Sequence, residues 1–265
     1  MRILLDTDIG GDVDDALALA LVLHSPELEL AGITLVYEDN QWRAGLLRDM
    51  LSTYGREIPF VLGAEQPLTG RWGAGSLGPE AAADFIIQGC EQDPDLVIVG
   101  IGPLTNIAAA FKAKPSIAAG RRVCLMAGDL PPNQAEWNIK CDPKAAAIVY
   151  GSGANLSVIG LNVTERCYLT QEDVDLFGKL ESAEARLLSE MLGRFMDRFN
   201  ILPILHDPLA IGSLIWDDVL VFEKRRLKVE TGGFTVEAPD GAEISAAVSV
   251  KAELFKERLL RRIRL

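Results

Sequence analysis

The sequence predicts an α/β fold: one domain over residues 1–265, with a mainly parallel central sheet, helices on both faces, and a small antiparallel addition near the C-terminus. Three observations carry this. Short apolar runs alternate with helix-periodic stretches as far as Asn162. Several of those runs are apolar at consecutive positions, the pattern of parallel strands buried on both faces. No linker-like composition and no internal repeat divides the chain.

Taken in order, strand-like runs at 3–5, 32–36, 60–62, 96–99, 123–126 and 157–160 alternate with helical stretches at 14–24, 42–54, 79–90, 105–111 and 143–150. Pro26, Pro59, Pro94 and Pro115 fall between elements, where a missing N–H costs least. Beyond Asn162 a long amphipathic helix is expected at 181–199, and the polar pair His206-Asp207 opens another. Alternating segments at 226–231, 234–238 and 244–250 read as antiparallel strands, and a basic helix at 252–264 closes the chain.

Composition narrows the function. The chain is 49% apolar and 24% charged, which is globular rather than disordered. Its formal net charge is −12, from 26 basic and 38 acidic side chains. Such a surface repels phosphate backbones and anionic lipid, so neither a nucleic-acid polymer nor a membrane is an expected partner. Arg121-Arg122 and the trio Arg261, Arg262 and Arg264 are too short to reverse this. No apolar run is long enough to span a bilayer, and Met1 leads straight into a strand-like segment, so a cytoplasmic location is the expectation. Cys90, Cys124, Cys141 and Cys167 lie far apart with no CxxC pair and read as packed free thiols.

The informative segment is ILLDTDIGGDVDDALALAL, with Asp6, Asp8, Asp12, Asp14 and Asp15 between an apolar strand and an apolar helix. That is the C-terminal end of a strand, where open α/β sheets bind ligands. Carboxylates so crowded raise one another's pKa unless a cation neutralises them, and Ca²⁺ or Mg²⁺ suits an all-oxygen donor set. Gly10 and Gly11 let the loop turn tightly. A helix cap needs only one or two of these carboxylates. An EF-hand fails because Leu17 stands where its bidentate Glu belongs. A Mg²⁺-dependent phosphohydrolase of the haloacid-dehalogenase type remains as an alternative, with Asp6 as nucleophile and Asp8 as acid/base, although Gly10 and DDALALA are foreign to such loops.

DTDIGGDVDDA resembles the Asp-x-Asp-x-Gly…Asp-Asp-Ala loop of the inosine–uridine-type nucleoside hydrolase family. Four more segments agree in order: GPLTN at 102–106, LMAG at 125–128, AEWNIKCDPKAA from Ala135, and HDPLA at 206–210. The resemblance spans nearly the whole chain. It implies hydrolysis of the N-glycosidic bond of ribonucleosides to free base and ribose, by a Ca²⁺-bound water that an aspartate activates. Asp8, Asp15, Asp207 and the Met126 carbonyl would be the metal ligands. Asp8 would also be the general base, Asp14 and the Asp207 region would meet the ribose diol, and Glu136 and Asn138 would grip the 5′ and ring sides of the sugar. His206 would stand near the leaving base. The implied partner is a small-molecule nucleoside, with a place in purine or pyrimidine salvage, and family members often form homo-oligomers.

This chain departs from the family pattern in places. Two extra residues precede Asp14-Asp15, so Asp12 could take over one of their roles. TLVYEDN replaces the family's Thr-Thr-Val-Ala-Gly-Asn, so either Asp39 or Asn40 is the expected diol-binding residue. The stretch before Glu136 is short, so a 5′ contact there is either missing or supplied by Asn133, and Asp129 has no family role. Asn106 reads as a structural cap, Asn162 as a strand-end residue near the site, and His24 as a surface residue at a helix end. The altered TLVYEDN segment also keeps open a Ca²⁺/ribose-binding protein that has lost turnover.

Overall fold

The computed structural model describes residues 1–131 and 133–263. In chain order these form β1 (Arg2–Thr7), α1 (Asp14–Leu23), β2 (Glu29–Leu35), α2 (Asn40–Thr53), β3 (Phe60–Leu62), α3 (Glu80–Gln92), β4 (Val97–Gly100) and α4 (Thr105–Ala113). There follow β5 (Arg122–Met126), α5 (Trp137–Cys141), α6 (Pro143–Tyr150), β6 (Asn155–Ile159), α7 (Leu161–Thr164), α8 (Gln171–Phe177), α9 (Ala183–Phe199) and α10 (His206–Gly212). The chain ends in β7 (Leu220–Val229), β8 (Thr235–Glu237), β9 (Ala242–Val250) and α11 (Ala252–Ile263). Every strand and long helix expected from periodicity is present within a few residues. Arg264, the last residue of the expected C-terminal helix, lies outside the described residues.

The strands make one nine-stranded sheet in the order β3-β2-β1-β4-β5-β6-β9-β7-β8. The first six pair in parallel. β9 extends them in parallel beside β6, and β7 and β8 add the antiparallel edge. The chain winds outward in both directions from the β1–β4 pair, so the loops after β1 and β4 part there and open a crevice at the strands' C-terminal ends.

Two apolar layers clamp the sheet. One gathers α1, α2, α9, α10 and α11 around Leu17, Leu47, Leu192, Leu209 and Phe255; the other gathers α3, α4 and α6 around Ile86, Ile107 and Val149. α1 is the innermost helix, with nine of its ten residues buried. Its lack of a polar face follows from α10 packing on it as well as the sheet. That contact carries a residue more than 190 positions downstream to the start of α1, where the Asp207 amide donates to Asp14 Oδ2 at 3.3 Å.

Asn106, in the GPLTN segment, is a fully buried strut. Its amide donates to Asp6 Oδ1 (2.8 Å) and the Leu35 carbonyl (3.0 Å), and its oxygen accepts from the Ala64 amide (2.9 Å). Three strand ends therefore depend on one side chain. Asn106→Ala is expected to lower stability by about 2–4 kcal/mol through stranded buried partners. Urea unfolding would measure this, and a loss below about 0.5 kcal/mol would show that the strut carries no weight.

Candidate active site

The crevice holds a cavity of about 540 Å³, in the size range of small-molecule sites. The β1–α1 loop supplies Asp8, Asp12, Asp14 and Asp15; α10 supplies His206 and Asp207; the end of β5 and the start of α5 supply Met126, Glu136 and Asn138. Eight of the residues assigned from sequence thus line one cavity: Asp8, Asp14, Asp15, Met126, Glu136, Asn138, His206 and Asp207.

Asp39 and Asn40 do not join them. Asp39 is exposed and precedes α2 in a left-handed conformation (φ 57°). Asn40 is buried, and its amide donates to the carbonyls of Gly63 (3.0 Å) and Ala64 (3.4 Å). Neither residue is part of the cavity wall that this segment contributes. That wall is formed by Tyr37, whose φ of 79° is unusual for an aromatic residue, and by Arg43. The segment reaches the cavity through Tyr37 rather than through Asp39 or Asn40.

Arg43 is a buried cation serving the metal-type loop. Its guanidinium donates to the carbonyls of Asp8, Ile9 (2.9 Å) and Glu38 (2.7 Å), pinning the enlarged loop from outside. Its charge also opposes the rise in the Asp8 and Asp15 pKa values. Gly102 is required beside it, since a Cβ there would stand 2.7 Å from Asp8 Oδ1. At Gly10 (φ 103°) a Cβ would strike the Trp42 ring at 2.5 Å.

Asp14, Asp15 and Asp207 each offer a carboxylate oxygen within 4.8 Å of the other two. Burial first, and then mutual repulsion, pushes all three pKa values well above the ordinary carboxylate range. Asp8 rises to about 6, chiefly by burial. The Thr7 hydroxyl donates to Asp15, and the first turns of α1 and α10 both point positive ends at the cluster. Hard oxygens in this number and geometry fit a divalent cation. Asp12 also lines the cavity, but its carboxylate accepts from the Val13 amide of its own loop.

Glu136 caps α5: its carboxylate accepts from the amides of Gly128 (3.1 Å), Asn138 (2.7 Å) and Ile139 (3.1 Å). Burial outweighs these bonds and raises its pKa to about 7. The Asn138 amide ties the Ile101 carbonyl (3.0 Å) to that of Met126 (3.1 Å). Asn133 is exposed and outside the cavity lining; its amide, with that of Gln134, satisfies Asp129, which gives Asp129 a role as loop brace. His206 contacts the Thr164 hydroxyl through Nδ1 at 2.7 Å, and burial lowers its pKa to about 4.

Asp6 is placed against the phosphohydrolase alternative. It is fully buried and absent from the cavity lining, and Oδ1 accepts from Thr34 (2.5 Å) and Asn106. Burial raises its pKa to about 7. A nucleophile must reach substrate, and this carboxyl is a core group. Asn162 turns instead to the Ala247 carbonyl (2.9 Å), His24 packs edge-on against Tyr54 at 5.4 Å, and all four cysteines are free. Trp72 packs against Tyr37 with ring centroids 4.8 Å apart and planes tilted by 48°. Sequence reasoning missed Tyr37, Arg43, Trp137 and Thr164.

The raised pKa values set a pH dependence. A carboxyl whose folded pKa exceeds its unfolded value favours the fold most below the ordinary range, near 3.8–4.5, and that advantage is lost as pH rises through about 6–7. Cation binding reverses this loss. The melting-temperature gap between Ca²⁺-loaded and chelated protein is therefore expected to widen from about pH 4 to about pH 7. A gap that stays constant or narrows over that window would contradict a cation site at these carboxylates.

The profile of the family described as inosine-uridine preferring nucleoside hydrolase matches residues 3–257. A pyrimidine-specific ribonucleoside hydrolase of Enterobacter sp. is 33% identical over 88% of this chain and 85% of its own length. Uridine nucleosidase 1 of Arabidopsis thaliana is 29% identical over 89% of this chain and 80% of its own. A solved purine-preferring ribonucleoside hydrolase from Gardnerella vaginalis superposes with a TM-score of 0.87 at 27% identity, covering 100% of this chain and 98% of that one. Among the described residues no helix is long and apolar enough to cross a membrane. The chain belongs to the inosine-uridine preferring nucleoside hydrolase family, whose reaction is hydrolysis of the ribonucleoside N-glycosidic bond.

Proposed function

We propose that this cavity cleaves ribonucleosides to free base and ribose with Ca²⁺ held by Asp8, Asp15, Asp207 and the Met126 carbonyl. The observation that carries the reading is the meeting of the β1–α1 loop carboxylates with Asp207 of α10 in the cavity that also presents Glu136, Asn138 and His206. Ca²⁺ in that donor set supplies a Lewis acid that orients a sugar diol and acidifies water.

The side chains divide the remaining work. Asp8 lines the cavity at the carboxylate cluster and accepts the proton of the attacking water. Asp14 and Asp207 receive the ribose hydroxyls, and Glu136 and Asn138 hold the 5′ and ring sides. The surrounding carboxylates stabilise the positive charge that grows on an oxocarbenium-like sugar. His206 hydrogen-bonds the departing base. Asp39 and Asn40 have no part in it, and Tyr37 and Arg43 close that wall instead. The relatives' names span uridine, pyrimidine and purine substrates, so the substrate class is a ribonucleoside with the base left open. A homo-oligomer working in the cytoplasm on this small molecule completes the reading; light scattering tests the oligomer.

Release of base and reducing sugar from a panel of uridine, cytidine, inosine and guanosine, with and without a strong chelator, is the direct test. Chelator-sensitive release from at least one is expected. Asp8→Ala should lower kcat by about 10²-fold or more while the melting temperature in Ca²⁺ remains measurable and cooperative. Near-normal turnover in that variant would remove Asp8 as the base. His206→Ala should slow natural nucleosides far more than an activated nitrophenyl riboside, and equal losses on both would count against a leaving-group role.

A further inference from the structure

Thr164, the last residue of α7, is fully buried and lies outside the cavity lining. Its hydroxyl contacts His206 Nδ1 at 2.7 Å and makes no other hydrogen bond among the described residues. The opposite ring nitrogen, Nε2, has no protein partner among those residues and is open to the cavity that His206 lines. A neutral imidazole carries one proton, and the partner of one nitrogen decides where it sits.

Two arrangements satisfy the contact. If Nδ1 carried the proton, Thr164 would accept it, and its own O–H would be stranded in the core with no acceptor. If Thr164 donates to Nδ1, every buried group is satisfied and the proton must sit on Nε2. Leaving a buried donor unpaired is the costlier state, so the second arrangement wins. We propose that Thr164 is a positioning residue that fixes His206 as the Nε2–H tautomer, so that the ring presents a hydrogen-bond donor, and not an acceptor, to the cavity.

The consequence rests on the proposed placement of His206 at the leaving base. A base departing from a ribosyl carbon takes the bond's electron pair and gains acceptor strength at its heteroatoms. A donor at Nε2 meets that change, whereas a bare Nε2 would repel it. Thr164 also holds the ring's direction, because α7 is tied to the loop after β5 by the Leu161 amide donating to the Gly128 carbonyl at 2.9 Å.

The chain has only two histidines, so side-chain ¹⁵N resonances separate readily, and His24→Asn assigns the pair. Long-range ¹H–¹⁵N correlation at about pH 8, above the ordinary histidine range, should show His206 with a protonated Nε2 and an acceptor-type Nδ1. Thr164→Val should abolish that preference and lower kcat on the best nucleoside of the panel by about tenfold or more, with less effect on the nitrophenyl riboside. Thr164→Ser should restore both the spectrum and the rate. An Nδ1–H ring in the unmodified protein, or a Thr164→Val protein that keeps both tautomer and rate, would overturn the proposal. If Thr164→Val does not fold, the spectra of the unmodified and Thr164→Ser proteins decide the matter alone. If no nucleoside is cleaved, the function reading fails while the spectrum still answers for the tautomer.

Discussion

Crowding of carboxylates at the end of β1 sets the terms for the surrounding structure. At 4.8 Å and an effective dielectric of about 20, one pair of full charges repels by about 3–4 kcal/mol, so the three pairs among Asp14, Asp15 and Asp207 would cost on the order of 10 kcal/mol. A domain's whole stability is about 5–15 kcal/mol. Two helix N-termini return about 0.3–1 kcal/mol for each favourable charge, too little to hold all three ionised. The cluster therefore either stays partly protonated or takes up a cation. That choice links its charge to the metal, and it explains why neighbouring groups brace the backbone instead of neutralising the acids. Arg43 is the exception, and even its guanidinium is spent on the carbonyls of residues 8, 9 and 38.

The opposite wall follows another logic. Glu136 and Asn138 look like substrate ligands in sequence, yet in the structure they are also joints of the backbone. A carboxylate has about four acceptor positions, and three on Glu136 are taken by amides of the β5–α5 connection and α5. Asn138 joins the end of β5 to the residue after β4. Groups that brace the scaffold while lining the cavity cannot be tuned independently. Substitutions there would shift the Met126 carbonyl, and with it that end of the cavity.

Legibility in the sequence tracked the range of the interactions involved. The parallel strands could be read because burial on both faces leaves consecutive apolar residues, as in Val97–Gly100. The acidic loop announced itself by composition. The short helices α5, α7 and α8 escaped because so few turns carry little periodicity. The absence of Asp39 and Asn40 from the cavity lining has a specific cause. Tyr37 and Asp39 both adopt positive φ, a local twist that propensities for Tyr do not foretell, and it directs Tyr37 to the cavity while Asn40 turns to the residue 63–64 carbonyls. Arg43 and Thr164 were invisible for another reason. Each acts through a contact more than 30 positions away, with nothing local to mark it.

His206 draws these threads together. A histidine beside several carboxylates would ordinarily be drawn towards its cationic form, but burial lowers this one to a pKa of about 4, so the ring is neutral at physiological pH. A neutral imidazole has no proton to give up near pH 7; it can only share the one it keeps. On the proposed reading, the departing base would receive a hydrogen bond from this ring and not its proton. Such a site relies on pulling at the sugar more than on acid at the base. That reading puts the larger share of catalysis on the carboxylate side of the cavity, and the relatives' names cover uridine, pyrimidine and purine substrates.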